Sequence, residues 1–336
     1  MNQMLPRPRF WAEAAGQIRT RFTMLGETML LMLLYFIGTM GSAALLAVPM
    51  TLWAMGTQSE SMVDRMLAGA SYQEIVEDML ANMPGWMVLI SLFATAVSVG
   101  FVAVFYCKKF QKRKLASMGL IREGALGEYL LGFVFGLLLF GGVVAVGAAT
   151  GGFRLGAWRL SPGRLAMALA ALLGCAAQGA ALELLFRGYY APSLGARYPV
   201  LPAFLLSSLI PAVLQSESML FSMGTLNSLL LGLVLSLWVL KRGSLWGACA
   251  IQGAWTFAGS FLLDFSLTGE HVGLGLLNVD ADAYRLLLSG GEFGPGSSIC
   301  ATVVLLAAVA VVLALRPRNS VPEPARNPDE RPGNNL

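Results

Sequence analysis

The sequence predicts an all-α fold, a polytopic transmembrane helix bundle of about eight helices, and three observations lead there. Hydrophobic residues make up 56% of the 336-residue chain and charged residues only 12%, about half the share usual in a soluble domain. A chain of this size folded in water still needs a polar shell, which this composition cannot supply. The apolar residues also fall in stretches approaching the ~20 residues that a bilayer crossing requires, and these alternate with loops of unequal charge. The formal net charge is +4, but the basic residues sit between apolar stretches and form no continuous patch. Nucleic acid is therefore excluded as a partner class.

The elements follow in order. Residues 1–27 carry Arg7, Arg9, Arg19 and Arg21 and are too long and irregular for a cleavable signal peptide. They are expected to be a cytoplasmic segment ahead of a first span at about 28–53. Residues 58–83 hold Glu60, Asp64, Glu74, Glu77 and Asp78 against Arg65, and their apolar spacing fits one or two short amphipathic helices outside the membrane. A second span, about 86–107, runs into Lys108, Lys109, Lys112, Arg113 and Lys114, five basic residues in seven. That run places the loop in the cytoplasm. A basic run beside a membrane can also bind anionic lipid, although setting topology is its simpler role.

Residues 28–125 thus form an N-terminal unit of two spans, and residues 126–315 a transmembrane core. The third and fourth spans fall at about 126–149 and 165–186. Between them Arg154, Arg159 and Arg164 stand with no acid, against the positive-inside pattern. The fifth segment, 200–214, is short and interrupted by Pro211; the sixth, about 219–240, stops at Lys241, Arg242 and Gly243. The seventh covers about 245–263. An acidic loop follows, with Asp264, Glu270, Asp280, Asp282 and Glu292 against Arg285, before the eighth at about 299–315. Residues 316–336 contain five of the 15 prolines and read as a disordered cytoplasmic tail. The expected location is a cell membrane, multi-pass, with both termini cytoplasmic; the absence of a targeting presequence is compatible with a bacterial inner membrane. The two halves show no mutual likeness in hydropathy, which argues against an inverted-repeat transporter.

The chain has one histidine, His271, which excludes a His-Glu-x-x-His zinc site and any pair of catalytic histidines. Cys107, Cys175, Cys249 and Cys300 lie within or at the edge of apolar segments without a CxxC pair. They read as buried small hydrophobes, so no disulfide framework, metal or cofactor is expected. Ionisable residues deep in a span mark candidate functional positions. Glu183 and Arg187 stand at i,i+4 near the end of the fourth span, with Glu N-terminal, the favourable order for an ion pair. Gln215 ends the fifth segment, and Gln252 and Thr256 stand at i,i+4 on the seventh.

Together these residues resemble the CAAX-protease and bacteriocin-processing (CPBP) family of intramembrane endopeptidases. That family carries Glu-Glu-x-x-x-Arg on one helix, Phe-x-x-x-His on the next, and His-x-x-x-Asn or His-x-x-x-Asp on a later one. The first motif aligns with Leu182-Glu183-Leu184-Leu185-Phe186-Arg187, the second with Pro211 through Gln215, and the third with Gln252 through Thr256. Asn227, Gly232 and the string from Lys241 to Trp246 are also similar to family sequence, as are Ser117 to Leu120 and Glu128 to Gly132; the resemblance covers about residues 105–310.

The resemblance implies a CPBP-like helical fold and peptide-bond hydrolysis. In the family, the first glutamate and the histidine of the second motif activate water; the later pair stabilises the oxyanion or, in an older view, binds a metal. Mapped residue by residue, those positions are Leu182, Gln215, Gln252 and Thr256, and only Glu183 and Arg187 survive of the motif. Leucine takes up no proton and an amide does not titrate near neutrality, so the general base is missing. Gln252 retains a hydrogen-bond donor for an oxyanion. His271, next to Glu270 in the predicted external loop, reads as a solvated residue that does not restore the site.

Three functions are compatible with these residues. The first is a catalytically impaired CPBP homologue that binds a hydrophobic membrane peptide or a membrane protein partner. The second is an active intramembrane endopeptidase for membrane-associated or prenylated peptides, with Glu183 in an altered role. The third is a transporter or channel. Membrane lipid is a partner in all three. Glu183 and Arg187 are expected to pair inside the bundle, with Gln215, Gln252 and Thr256 facing the same pocket.

Overall fold

The computed structural model describes residues 7–18, 22–57, 84–215, 222–263, 275–281, 285–318 and 320–321, together with residues 64, 67, 69 and 71. The amphipathic helices expected within 58–83 and the external His271 lie outside the described residues, apart from those few positions. A short strand β1 (Arg7–Pro8) leads into α1 (Arg9–Gln17), which buries Phe10, Trp11 and Ala14. Then come α2 (Met24–Thr57), α3 (Gly85–Lys109) and α4 (Ala125–Ala149). Strand β2 (Phe153–Trp158) precedes α5 (Pro162–Glu183), which continues through a π-helical stretch, Leu184–Tyr190, into α6 (Ala191–Gly195). Helices α7 (Val200–Leu214), α8 (Met223–Arg242) and α9 (Trp246–Phe257) complete the site-bearing part. Strand β3 (Leu277–Ala281), α10 (Leu286–Ser289), α11 (Ile299–Ala314) and β4 (Ser320–Val321) close the chain.

Five helical segments are long and apolar enough to cross a membrane, and α7 and α11 are shorter apolar helices. With α9 they make an all-α bundle of eight segments, as the hydropathy predicts. Outward-facing apolar stripes explain why so much hydrophobic surface stays exposed: Leu126, Leu130, Val134 and Leu138 on α4, and Leu165, Leu169 and Leu173 on α5. Each set recurs at three or four residues, one helical face. In lipid that face needs no burial.

The helices meet along small residues. Helix α9 packs between α4 and α5, α3 between α2 and α5, and α8 between α7 and α11. At the α5–α9 crossing a Cβ on Gly179 would lie 2.8 Å from the Gly253 nitrogen, so only glycine allows this approach. Ser161 caps α5 by accepting from the Arg164 nitrogen, with Pro162 at its first position, where the missing N–H costs nothing.

Two features depart from the sequence reading. The helix of the first span, α2, has 34 residues rather than the shorter 28–53; at 1.5 Å per residue it is roughly 50 Å long, well beyond a 30 Å hydrocarbon core. Residues 316–318 and 320–321, expected to begin an unstructured tail, instead return to the bundle: the Arg318 nitrogen donates to the Lys241 carbonyl at 2.6 Å, and Ser320–Val321 pairs antiparallel with Arg7–Pro8. At the other end, β2 and β3 pair antiparallel with Arg154 opposite Asp280. The Arg164 guanidinium donates to the Gly275 carbonyl at 3.0 Å. Among the described residues, the loop of three arginines thus pairs with the Leu277–Ala281 part of the acidic loop, which brings charges of both signs together.

Candidate functional site

The π-helical stretch that follows Glu183 is the local feature that builds the site. A π turn widens the helix by one residue per turn and often marks functional positions. Here it carries Arg187, whose Nη1 donates to Glu183 Oε1 at 2.7 Å across the i,i+4 step. Nη2 donates to the Gly232 carbonyl at 3.1 Å and Nε to Ser236 Oγ at 3.3 Å. Ser208 Oγ lies 2.9 Å from Ser236 Oγ and 3.1 Å from the same Gly232 carbonyl. A Cβ on Gly232 would stand 3.0 Å from the Ser208 carbonyl oxygen and 3.2 Å from Arg187 Nη2. Glycine is needed there for the guanidinium to reach the backbone.

Glu183 and Arg187 are 1% and 3% exposed. Burying two charges is tolerable only when they neutralise each other and their remaining polar atoms find partners. Arg187 meets that condition. Glu183 does not: its Oε2 has no hydrogen-bond partner among the described residues.

The carboxylate lines a cavity of about 70 Å³ with Leu182, Arg187, Pro211, Ala212, Gln215, Ser228, Leu231, Gly232, Leu235 and Gln252. That is room for a few waters, not for a peptide segment without opening. Helices α5, α7, α8 and α9 thus bring Leu182, Glu183, Arg187, Gln215 and Gln252 to one place. Gln215 is the residue at the C-terminal end of α7, and its Nε2 donates to the Pro211 carbonyl at 3.3 Å. Thr256 is a correction to the expected pocket: it is not part of the lining, and its hydroxyl donates to the Gln252 carbonyl of its own helix at 3.1 Å.

The chemistry of the lining is limited. It offers one carboxylate, already held by a guanidinium, two neutral amides and the Ser228 hydroxyl. A general base needs a titratable group within reach of the proton it takes, and neither Leu182 nor Gln215 is one. Metal binding, the older view of the family, does not fit this donor set, because amides and a single engaged carboxylate make a poor transition-metal site.

A second buried polar cluster lies on the other side of the π stretch, and sequence reasoning missed it. Glu27, 1% exposed, accepts from the Tyr189 hydroxyl at 3.0 Å on Oε1, while its Oε2 is unpartnered among the described residues. Next to it, Thr28 and Tyr190 hydroxyls lie 2.6 Å apart. Arg113, from the basic run, turns inward at 2% exposure. Its guanidinium donates to the Ser117 carbonyl at 2.6 Å, the Gly188 carbonyl at 3.0 Å and the Tyr189 carbonyl at 3.4 Å. Burial lowers the Arg113 pKa, with Cys107, Tyr189 and Glu27 acting against that, and an arginine so placed stays charged. The π stretch is therefore clamped from both sides, Arg187 reaching α8 and Tyr189 reaching α2. The available sequence signal was Glu27 itself, a lone acid at the start of the first span.

A multi-pass helix bundle with a buried ion pair and amides around an internal cavity is the architecture of an integral membrane protein. Residues 164–258 match the family described as type II CAAX prenyl endopeptidase Rce1-like, consistent with membership of the CPBP family. That stretch contains every residue that lines the cavity. No curated protein and no solved structure matches the chain.

Proposed function

We propose that this protein is a catalytically impaired CPBP homologue whose intramembrane pocket binds a hydrophobic membrane peptide or a membrane protein partner. The observation that carries this reading is the cavity's donor set. Leu182 and Gln215 occupy the positions that the resemblance assigns to the base and its partner, and the surviving carboxylate is tied to Arg187 at 2.7 Å. General acid–base catalysis contributes about 10² to 10⁴-fold, so its loss leaves slow background turnover. What remains is a polar spot in an apolar wall: Glu183 Oε2 accepts, and the Gln252 amide both donates and accepts. A peptide backbone presents the complementary groups.

One observation favours an active intramembrane endopeptidase instead, the unpartnered Glu183 Oε2 at the cavity. Incubation of the protein in lipid with membrane-proximal and prenylated peptides, read by mass spectrometry, separates the two. Peptides recovered bound and intact support the binding reading. Peptides shortened by wild type and not by Glu183→Ala establish hydrolysis.

On this reading the protein resides in a cell membrane, in a bacterium the inner one, with both termini in the cytoplasm. The basic flanks after α3, α8 and α11 support that orientation. A reporter active only in the cytoplasm is expected to give signal when fused after Lys114 and none when fused near Glu74. The reverse pattern overturns the orientation.

A further inference from the structure

The basic run of residues 108–114 is sorted by the fold. Gln111 and Arg113 turn inward and are fully used by the π stretch and its neighbours: Gln111 Nε2 donates to Ser193 Oγ at 3.3 Å and Arg113 reaches the Gly188 carbonyl. Lys108, Lys109, Lys112 and Lys114 stay exposed. Two other cations at this end of the bundle do find an acid: Arg242 and Arg318 lie 2.6 Å and 3.3 Å from the Glu128 carboxylate. Neither Lys108 nor Lys109 has an acidic partner among the described residues.

These two lysines close one end of a wide, open groove on α3. It measures about 580 Å³ and is lined by Gly100, Phe101, Val104, Phe105, Lys108 and Lys109 on the outer face of α3. The Phe101 and Phe105 rings stack at 5.4 Å, and Phe110 meets Phe105 edge-on at 6.1 Å at the basic end. Over the nine steps from Gly100 to Lys109 an α-helix rises roughly 13 Å. The groove is thus apolar along its length and cationic at one tip. At its inner end Gly100 faces Ala181, with a Cβ there 3.4 Å from the Ala181 side chain. It therefore abuts the turn of α5 that carries Leu182 and Glu183.

We propose that this groove holds one anionic phospholipid, with an acyl chain along Phe101, Val104 and Phe105 and the phosphate on Lys108 and Lys109. Charge complementarity selects this occupant. A zwitterionic headgroup cancels its own phosphate charge, and a free phosphate leaves the apolar length uncovered. A lysine near the bilayer surface is worth roughly fivefold in attraction to anionic lipid, so two give about 30-fold. The proposal is independent of whether the cavity at Glu183 hydrolyses or only binds.

Native mass spectrometry of the full chain, titrated with phosphatidylglycerol and with phosphatidylcholine of identical acyl chains, tests it. Phosphatidylglycerol is expected to form a single retained adduct at least tenfold tighter than phosphatidylcholine, and glycerol phosphate is expected not to displace it at equal concentration. Lys108→Gln with Lys109→Gln should weaken the adduct about 30-fold, while Lys108→Arg with Lys109→Arg keeps it. Lys112→Gln with Lys114→Gln removes equal charge outside the groove and should leave it in place. Equal losses in the two glutamine pairs would reveal a diffuse basic surface and overturn the proposal. So would equal affinity for the two lipids, or displacement by glycerol phosphate.

Discussion

Glu183 and Glu27 are two carboxylates buried to the same degree, yet they are held in different ways. Glu183 is neutralised from within its own helix by Arg187, four residues on. Glu27 is held from across the chain, by a tyrosine hydroxyl 162 residues away, with Arg197 and Arg113 as the positive charges nearby. Each has an oxygen without a partner among the described residues, but only that of Glu183 lines the cavity. The first arrangement leaves a polar atom for a ligand. The second fastens α2 to the π stretch and so fixes the helix on which Arg187 stands.

That contrast sets an order of effects. Glu183→Ala strands a buried guanidinium and is expected to cost about 3–5 kcal/mol of stability. Glu183→Leu with Arg187→Met should recover most of that loss, measured as reversible unfolding in detergent; equal losses in the single and double variants contradict a pair. Arg113→Gln leaves the Gly188 and Ser117 carbonyls without their cation, and about 2–3 kcal/mol is expected. This variant should also loosen the π stretch, read as faster hydrogen exchange at residues 184–190. Tyr189→Phe removes the hydroxyl that donates to Glu27 Oε1 and should cost about 1–2 kcal/mol. Thr256→Val gives up only a bond to its own helix backbone, so a change below about 1 kcal/mol is expected. A larger loss there would return Thr256 to the pocket.

The same contrast explains what the sequence makes legible. Helix positions follow from hydropathy because lipid demands continuous apolar length. The Glu183–Arg187 pair follows from i,i+4 spacing, a local rule. Gln215 and Gln252 could be joined to it only through the motif resemblance, since no spacing rule relates residues on separate helices. The Thr256 misreading comes from a competing local option: a hydroxyl in a helix satisfies itself on the carbonyl four residues back. The Glu27 cluster, the β2–β3 pairing and the return of Ser320–Val321 to Arg7–Pro8 all depend on contacts across more than a hundred residues. Nothing local in the chain announces them. Arg113 shows the same limit in miniature, because composition counts it with its lysine neighbours and only the fold turns it inward.

The proposal most open to direct test is that a CPBP-like fold persists here without its base. The direct measurement is peptide cleavage by purified protein in lipid, comparing wild type, Glu183→Ala, and a fourfold variant with Leu182→Glu, Gln215→His, Gln252→His and Thr256→Asn. The expected result is wild-type turnover equal to that of Glu183→Ala, with measurable cleavage only in the fourfold variant. Robust wild-type cleavage that disappears in Glu183→Ala would contradict the claim and make Glu183 a working catalytic residue.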